Sequence, residues 1–328
     1  MKNYRIKSIE DYCGEEREMK IDMFGHILTE GFRTEFLKKA PEIENLIELK
    51  NLPLANLRER FKIMDRYPDI LQFITMAKVP LERYLSVRDS IEMARLGNDE
   101  LAEVVNKYPD RFYGAAAVLP LNDMDATLRE TDRAIKELSL KGVQIFTTIN
   151  GETLDNPKFR PLYQKMEEYD LPIWIHPSTN DKLDDDYGLF SWEFDITNAM
   201  LAMVKSGVFV DFPKLKVIVH HAGAMVPIYS ERIKLIFYDV PGVLPIPNLH
   251  EHFKKFYGDT AMYGNTSALM CAYEYFGADH LIFGTDAPLG PPDAIQLTID
   301  SMDRMAVPAD EKEKMYSLNA VGLINKKI

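Results

Sequence analysis

The sequence predicts an α/β fold, a (β/α)8 barrel of the TIM type in which eight parallel strands alternate with helices. Apolar runs of strand length recur eight times between helical patterns, with no internal linker. The length of 328 residues suits one such barrel. Several apolar runs also end on a polar residue, at the position where barrels build their sites. We therefore expect one barrel domain over residues 1–328.

The first predicted strand is followed by a long helical segment. The strand, 20–26, is largely apolar and ends on His26. A helical pattern follows and is broken near Pro53. Because this stretch, about 29–66, is longer than a strand-to-helix connection needs, we predict a helical insertion over the barrel mouth.

The other elements alternate regularly. Short apolar runs bounded by turn residues predict strands over 70–77, 112–119, 142–148, 172–176, 216–221, 256–260 and 280–286. Asn150-Gly151 predicts a turn, and Asn122 or Asp123 a helix cap. Apolar residues at helical spacing predict helices over 86–108, 122–138, 157–169, 193–207, 226–238, 266–276, 293–302 and 310–324. An acidic loop, 181–187, and a proline-rich connection, 241–247, complete the chain.

Composition is that of a globular protein and disfavours two classes of partner. Apolar residues make up 46% of the chain and charged residues 27%. The net charge of −12 disfavours nucleic acid and anionic membranes, although local arginines can bind a small anion. Cys13 and Cys271 are too few for a disulfide framework, so we expect a cytoplasmic location. We expect no signal peptide and no membrane span.

Polar side chains end four of the predicted strands. They are His26, His176, the pair His220 and His221, and Asp286. Since the carboxyl ends of parallel strands meet on one face of a barrel, we expect these side chains in one site. Imidazole and carboxylate suit a divalent ion, so we predict zinc, with manganese or iron as alternatives, held by His26, His176 and Asp286. Any one histidine alone would more often be a hydrogen-bonded core residue, and the convergence of four strand ends favours a site.

Four motifs in this order resemble the amidohydrolase superfamily, in particular the branch of aminocarboxymuconate-semialdehyde decarboxylase and the resorcylate- and carboxyvanillate-type decarboxylases. The motifs are Ile21-Asp22-Met23-Phe24-Gly25-His26, residues 171–177, His221-Ala222-Gly223 with Pro227, and Phe283-Gly284-Thr285-Asp286. The resemblance covers the chain from Ile21 onward. It implies a barrel of the metal-dependent hydrolase kind.

The resemblance also implies roles for individual residues. His26, His176 and Asp286 match metal ligands, and His221 matches the catalytic histidine. The chain departs from the pattern at Phe24, where the family carries a first ligand, and this puts the affinity and identity of the metal in question. His220 lies where the family often has a small residue.

Two arginines match substrate-binding positions of the resembled family. Arg232 matches an arginine that reaches the neighbouring subunit's site and contacts a substrate carboxylate, which implies a homodimer. Arg60 matches an arginine that contacts substrate. For either residue, the alternative is a salt bridge.

We therefore predict a metal-dependent decarboxylase, a carbon–carbon lyase that acts on a small aromatic or unsaturated carboxylic acid. The ion would bind the carboxylate or a water, His221 would act as base or proton shuttle, and Asp286 or His221 would protonate the carbanion-like centre. The alternatives are a metal-dependent hydrolase of a lactone or amide, a hydratase, and a non-catalytic barrel that binds a carboxylate.

Overall fold

Eight parallel strands enclose a barrel in the computed structural model, which describes residues 19–45, 50–77, 79–178, 189–239 and 248–324. The strands are β1 (Lys20–Ile27), β2 (Ile70–Met76), β3 (Phe112–Ala115), β4 (Val143–Phe146), β7 (Ile173–His176), β8 (Val217–Val219), β9 (Phe256–Asp259) and β10 (Leu281–Ile282). A short antiparallel hairpin, β5 (Thr148–Ile149) and β6 (Glu152–Thr153), turns at the predicted Asn150-Gly151.

The strands pair as two parallel sheets that backbone hydrogen bonds join into a closed wall. The sheets have the orders β1-β2-β3 and β10-β9-β8-β7-β4. A parallel bridge between Ala117 and Val143 joins the sheets on one side, and a bridge between Gly25 and Ala287 joins them on the other. The predicted barrel is therefore confirmed.

Helices cover the outside of the wall and form the predicted insertion. The insertion contains α1 (Glu30–Lys39), a 3-10 turn (Pro41–Asn45), α2 (Leu52–Ala55) and α3 (Leu57–Met64). The other helices are α4 (Leu81–Tyr84), α5 (Val87–Lys107), α6 (Met124–Lys136), α7 (Arg160–Tyr169), α8 (Leu189–Lys205), α9 (Val208–Asp211), α10 (Ser230–Asp239), α11 (Thr266–Phe276), α12 (Ala294–Asp303), α13 (Ala309–Glu313) and α14 (Asn319–Ile324). Further single turns are Pro157–Phe159, His221–Gly223, Leu249–Lys255, Ala278–His280 and the π-helical Lys314–Leu318.

Capping side chains explain where several helices begin. Ser86 accepts a hydrogen bond from the backbone N–H of Asp89 at the start of α5, and Asp123 accepts one from Ala126 at the start of α6. Each cap satisfies a backbone donor that lacks a partner within its helix. The predicted cap at Asp123 is confirmed.

The largest differences from the sequence-based boundaries lie at the strand ends. Strands β3, β8 and β10 are shorter than predicted, and after β8 and β10 the chain turns at His221 and Asp286, which have positive φ. Cys13, the acidic loop 181–187 and the proline-rich connection 241–247 lie outside the described residues. In the described part of the chain, no helix is long and apolar enough to cross a membrane.

Trp174 on β7 lies at the centre of the barrel. Its ring stacks on Phe73 with centroids 4.5 Å apart, and its indole N–H donates to the carbonyl of Met23. The surrounding buried cluster includes Ile21, Leu71, Tyr113, Ala116, Ile218 and Ile282 from the strands and Ala320, Leu323 and Ile324 from α14. The barrel interior is therefore a packed core, and only its carboxyl end is available for a site.

Gly142 tests how tightly this core is packed. A Cβ atom there would lie 2.4 Å from a ring carbon of Trp174 and 2.5 Å from the carbonyl oxygen of Pro172, at φ +149°. We expect Gly142→Ala to lower the free energy of unfolding by roughly 2–4 kcal/mol, measured by chemical denaturation. Gly322→Ala is the matched control, because its Cβ meets nothing within 4 Å inside α14. It should raise stability by about 0.5–1 kcal/mol, and equal effects of the two changes would contradict this account of the core.

Candidate active site

Three predicted site histidines surround the ring of Phe24 at the carboxyl end of the barrel. Its centroid lies 4.6 Å from that of His26, 6.2 Å from His176 and 6.3 Å from His221. These side chains come from the ends of β1, β7 and β8, so parallel strands bring residues that are distant in sequence together. Asp286 joins them after β10.

Protein oxygens fix the orientation of both predicted histidine ligands. The Nδ1 atom of His26 lies 2.9 Å from the hydroxyl of Thr75, and that of His176 lies 2.9 Å from the carbonyl of Pro177. A carbonyl only accepts, so Nδ1 of His176 donates. This is the arrangement of histidines that bind metals through Nε2.

Asp286 is held as a carboxylate beside His26. The Nε2 atom of His26 lies 3.1 Å from its Oδ1, and the hydroxyl of Tyr263 donates to its other oxygen. Burial favours the neutral acid. This effect is outweighed by the hydrogen bond and charge of His26, by the charge of His221 and by the hydrogen bond from Tyr263. Together they lower the pKa of Asp286 to about 2. Asp286 is therefore a ligand or acceptor at neutral pH, and it has no proton to donate.

The donors fit a divalent ion in their chemistry and spacing. Within the described residues, no group of three or more His, Cys, Asp or Glu side chains forms a ready-made metal site. However, Nε2 of His26 is buried, and its 3.1 Å separation from Oδ1 of Asp286 is also that of two neighbouring ligands of one ion. Two atoms bound at about 2.1 Å to one ion, at right angles, lie ~3 Å apart. His26 and Asp286 are thus spaced to share an ion, with His176 alongside.

His221 is held by a carboxylate that sequence analysis missed. Glu193, on α8, accepts from Nδ1 of His221 at 2.7 Å. Burial lowers the pKa of His221, but the hydrogen bond and charge of Glu193, with the charges of Asp259 and Asp286, raise it overall to about 9. His221 is therefore an imidazolium near neutral pH.

Asp259, another residue that sequence analysis missed, joins both histidines that follow β8. It accepts from Nδ1 of His220 at 2.8 Å and from the backbone N–H of His221 at 3.0 Å. Burial and the positive charges of His221 and His26 lower the pKa of His220, so its ring is neutral. Asp259 is the last residue of β9. A polar residue at a strand end is the same signal that identified the other site residues, so this signal could have found Asp259.

Backbone strain is concentrated at the same strand ends. Five non-glycine residues there have positive φ: His221 (54°), Ala222 (55°), Ala224 (54°), Tyr263 (43°) and Asp286 (60°). Such conformations are unfavourable for residues with a side chain and are typical of functional sites.

Arg60 is buried and bonded to neighbouring protein groups. Its side chain is 2% exposed, and its Nε and Nη2 atoms donate to the side-chain oxygen of Gln72 at 3.2 and 2.7 Å. Its Nη1 atom donates to the backbone carbonyl of His26. The guanidinium thus joins β1 to β2, and these contacts favour a positioning role for Arg60.

Arg232 lies on α10 with its side chain exposed. An exposed position on an outer helix leaves it free of the core packing that fixes Arg60. Its expected role in a neighbouring subunit is taken up below.

A closed barrel with histidine and aspartate side chains gathered at its carboxyl end defines a class of barrel enzymes that build their catalytic centre there. A family model described as amidohydrolase matches residues 46–325, and the chain belongs to this family. The family predicted from the motifs is therefore confirmed.

The relatives of known activity are decarboxylases. Gamma-resorcylate decarboxylase of Rhodococcus jostii (strain RHA1) is 29% identical over 289 residues, which are 80% of this chain and 86% of that protein. 2-Amino-3-carboxymuconate-6-semialdehyde decarboxylase of Dictyostelium discoideum is 28% identical over 237 residues, 70% of this chain and 66% of that protein. The predicted carboxy-lyase activity is confirmed at the level of the enzyme class.

Solved structures agree with this fold. The 2,6-dihydroxybenzoate decarboxylase from Rhizobium superposes with a TM-score of 0.78 at 25% identity, covering 94% of this chain and 98% of that one. A dihydroxybenzoic acid decarboxylase from Polaromonas sp. JS666, with bound manganese and the inhibitor 2-nitroresorcinol, superposes with a TM-score of 0.78 at 24% identity, covering 95% and 98%.

The positioning role of Arg60 makes a prediction about stability. We expect Arg60→Gln to lower the free energy of unfolding by roughly 2–4 kcal/mol, because it removes buried charged hydrogen bonds to Gln72 and to the carbonyl of His26. Chemical denaturation measures the loss. Arg58→Gln on the same helix is the control, because Arg58 is exposed and its loss should change stability by less than about 0.5 kcal/mol. An Arg60 variant of normal stability with a raised KM would instead support substrate contact.

Proposed function

We propose that this protein is a metal-dependent decarboxylase of a small aromatic acid that carries a hydroxyl group beside its carboxylate. The observation that carries the proposal is the pairing of a His26–His176–Asp286 donor group with the imidazolium of His221 in one buried site. The substrate class follows from the resorcylate and dihydroxybenzoate decarboxylases to which the chain is similar.

Three side chains, His26, His176 and Asp286, would hold the ion. A divalent ion bound there supplies Lewis-acid stabilisation of negative charge on substrate oxygens. The sequence favours zinc for these ligands, whereas a neighbouring structure holds manganese. Nitrogen and carboxylate ligands bind either ion, so both belong in the assay.

The proton that replaces CO2 comes from His221 in this proposal. Decarboxylation breaks the bond between the ring carbon and the carboxylate, leaves its electron pair on that carbon and releases CO2. Nε2 of His221 donates a proton to the carbon, while Nδ1 remains hydrogen-bonded to Glu193. Asp286 is the poorer donor, because its pKa of about 2 leaves it ionised.

Release of CO2 from candidate acids tests the function directly. We expect turnover of 2,6-dihydroxybenzoate or another 2-hydroxybenzoate in the presence of Zn²⁺ or Mn²⁺, and loss of turnover after chelation. Benzoate, which lacks the neighbouring hydroxyl, is the matched control and should not react. Hydrolysis of a lactone or amide without release of CO2 from any acid would contradict the proposal and support the hydrolase alternative.

The pH dependence tests the role of His221. As a proton donor it is active below its pKa, so activity should fall as pH rises through about 9. Since Glu193 raises this pKa, Glu193→Gln should move the alkaline limb of kcat/KM to lower pH by roughly 1–2 units. Glu168→Gln, an exposed change on α7, is the control and should leave the limb in place. An unmoved limb in Glu193→Gln would show that another group titrates.

We also propose a cytoplasmic homodimer whose interface includes the start of α10 and the turn before it. Large apolar side chains are exposed there, with Ile228 66%, Leu235 60% and Ile236 50% accessible. Clustered exposed apolar residues favour a protein partner, and Arg232 lies on the same helix. Across such an interface the arginine would bind the substrate carboxylate in the neighbouring site.

Complementation tests the shared site. His221→Ala and Arg232→Ala chains should each be inactive alone, but co-refolding them should restore activity, because each mixed dimer contains one site with both residues. The expected recovery is at most about one quarter of wild type for random pairing. Each variant refolded with itself is the control. A monomer with full activity in light scattering would exclude the shared site.

A further inference from the structure

Phe24 and His220 form a close pair inside the site. Their rings stack face to face with centroids 3.4 Å apart and an angle of 13° between the planes. Phe24 offers no ligand atom. Because it covers only the face of the imidazole, the ring edge that carries the two nitrogens of His220 is not blocked by this stacking.

The two nitrogens of His220 have different surroundings. Nδ1 lies 2.8 Å from the carboxylate of Asp259, and both side chains are 0% exposed. A carboxylate accepts, so Nδ1 donates and Nε2 carries a lone pair. Nε2 is buried and has no hydrogen-bond partner among the described residues. Buried polar atoms are nearly always paired, so this atom requires an explanation.

The position of His220 supplies one. Its ring centre lies 5.3 Å from that of His176 and 6.4 Å from that of His26, and those two are 5.1 Å apart. Imidazoles that bind one ion through nitrogens at about 2.1 Å have ring centres roughly 5 Å apart at tetrahedral angles and roughly 6.4 Å apart on opposite sides of the ion. All three rings also have Nδ1 within hydrogen-bond distance of a protein oxygen, so each ring has the orientation of a histidine that binds a metal through Nε2.

We propose that His220 is a ligand of the metal ion, so that the end of β8 supplies the nitrogen that β1 lacks at Phe24. The inference rests on the proposed function, because it requires an ion between His26, His176 and Asp286. Asp259 orients the new ligand, and Phe24 supports the face of its ring. The site then holds three nitrogen donors and one carboxylate.

Metal binding, measured apart from activity, tests the inference. Mn²⁺ affinity is determined by electron paramagnetic resonance, and Zn²⁺ affinity by competition against Mn²⁺. In His220→Asn the amide nitrogen stays near the Nδ1 position and can still donate to Asp259, but no atom reaches the Nε2 position. We expect this variant to bind Mn²⁺ at least ~100-fold more weakly than wild type.

His280→Asn is the matched control. His280 also stacks on an aromatic ring, that of Tyr257 with centroids 4.3 Å apart, and its Nδ1 contacts a backbone carbonyl at 3.1 Å. It lies before β10, at the opposite end of the strands from the site. Its loss should leave Mn²⁺ affinity within about twofold of wild type. Circular dichroism checks the folding of both variants.

Moving the ligand back to β1 provides a second test. His220→Gly alone should lose affinity, whereas Phe24→His combined with His220→Gly should recover to within about tenfold of wild type, because a nitrogen is restored to the same site. If the double variant binds Mn²⁺ no more tightly than His220→Gly alone, the exchange of ligands between strands is contradicted.

The outcomes separate the inference from the proposed function. Equal Mn²⁺ affinity in wild type and a folded His220→Asn overturns the inference and leaves the decarboxylase proposal standing. A wild-type protein that binds neither Mn²⁺ nor Zn²⁺ overturns both. Loss of affinity in His220→Asn without CO2 release from any tested acid supports the ligand and contradicts the decarboxylase.

Discussion

The joint between β1 and the segment after β10 is the constraint on which the site depends. Backbone N–H groups of Met23 and His26 donate to the carbonyls of Phe283 and Ala287 at 2.8 and 2.7 Å. These bonds connect residues about 260 positions apart and close the barrel. They also bring His26 beside Asp286, so the geometry of the predicted metal ligands is a consequence of barrel closure.

A buried polar network reinforces the joint. Asp22 accepts hydrogen bonds from the backbone N–H and the hydroxyl of Thr285, at 3.0 and 2.6 Å, and from the side-chain amide of Gln72 at 3.0 Å. The side-chain oxygen of Gln72 in turn accepts a hydrogen bond from Arg60. Burial raises the pKa of Asp22 despite these bonds. Such a network stabilises the fold only when every member is paired, because each unpaired buried group is costly. Its residues therefore act on the site through the backbone of β1.

The sequence was sufficient for the barrel and for the expectation that His26, His176, His221 and Asp286 lie together at its carboxyl end, because apolar periodicity locates strands and a strand end locates its polar residue. The same reasoning applied to β9 would have found Asp259. The remaining errors have a tertiary origin. Glu193 meets His221 from a helix 28 residues earlier in the chain, which no local pattern indicates. Arg60 is fixed by Gln72, a side chain on the next strand, so a motif match alone could not give its orientation.

The charges at the site favour a bound cation. Asp286 is ionised, Glu193 and Asp259 lie within hydrogen-bond distance of the two histidines after β8, and His221 carries the opposing positive charge. Burial, opposed by the charge of His221, raises the pKa of Asp259 to about 6, so it too is largely ionised at neutral pH. Excess negative charge on carboxylates in a poorly solvated site is unfavourable. A divalent ion balances this excess, and an anionic substrate then enters a site that no longer repels it.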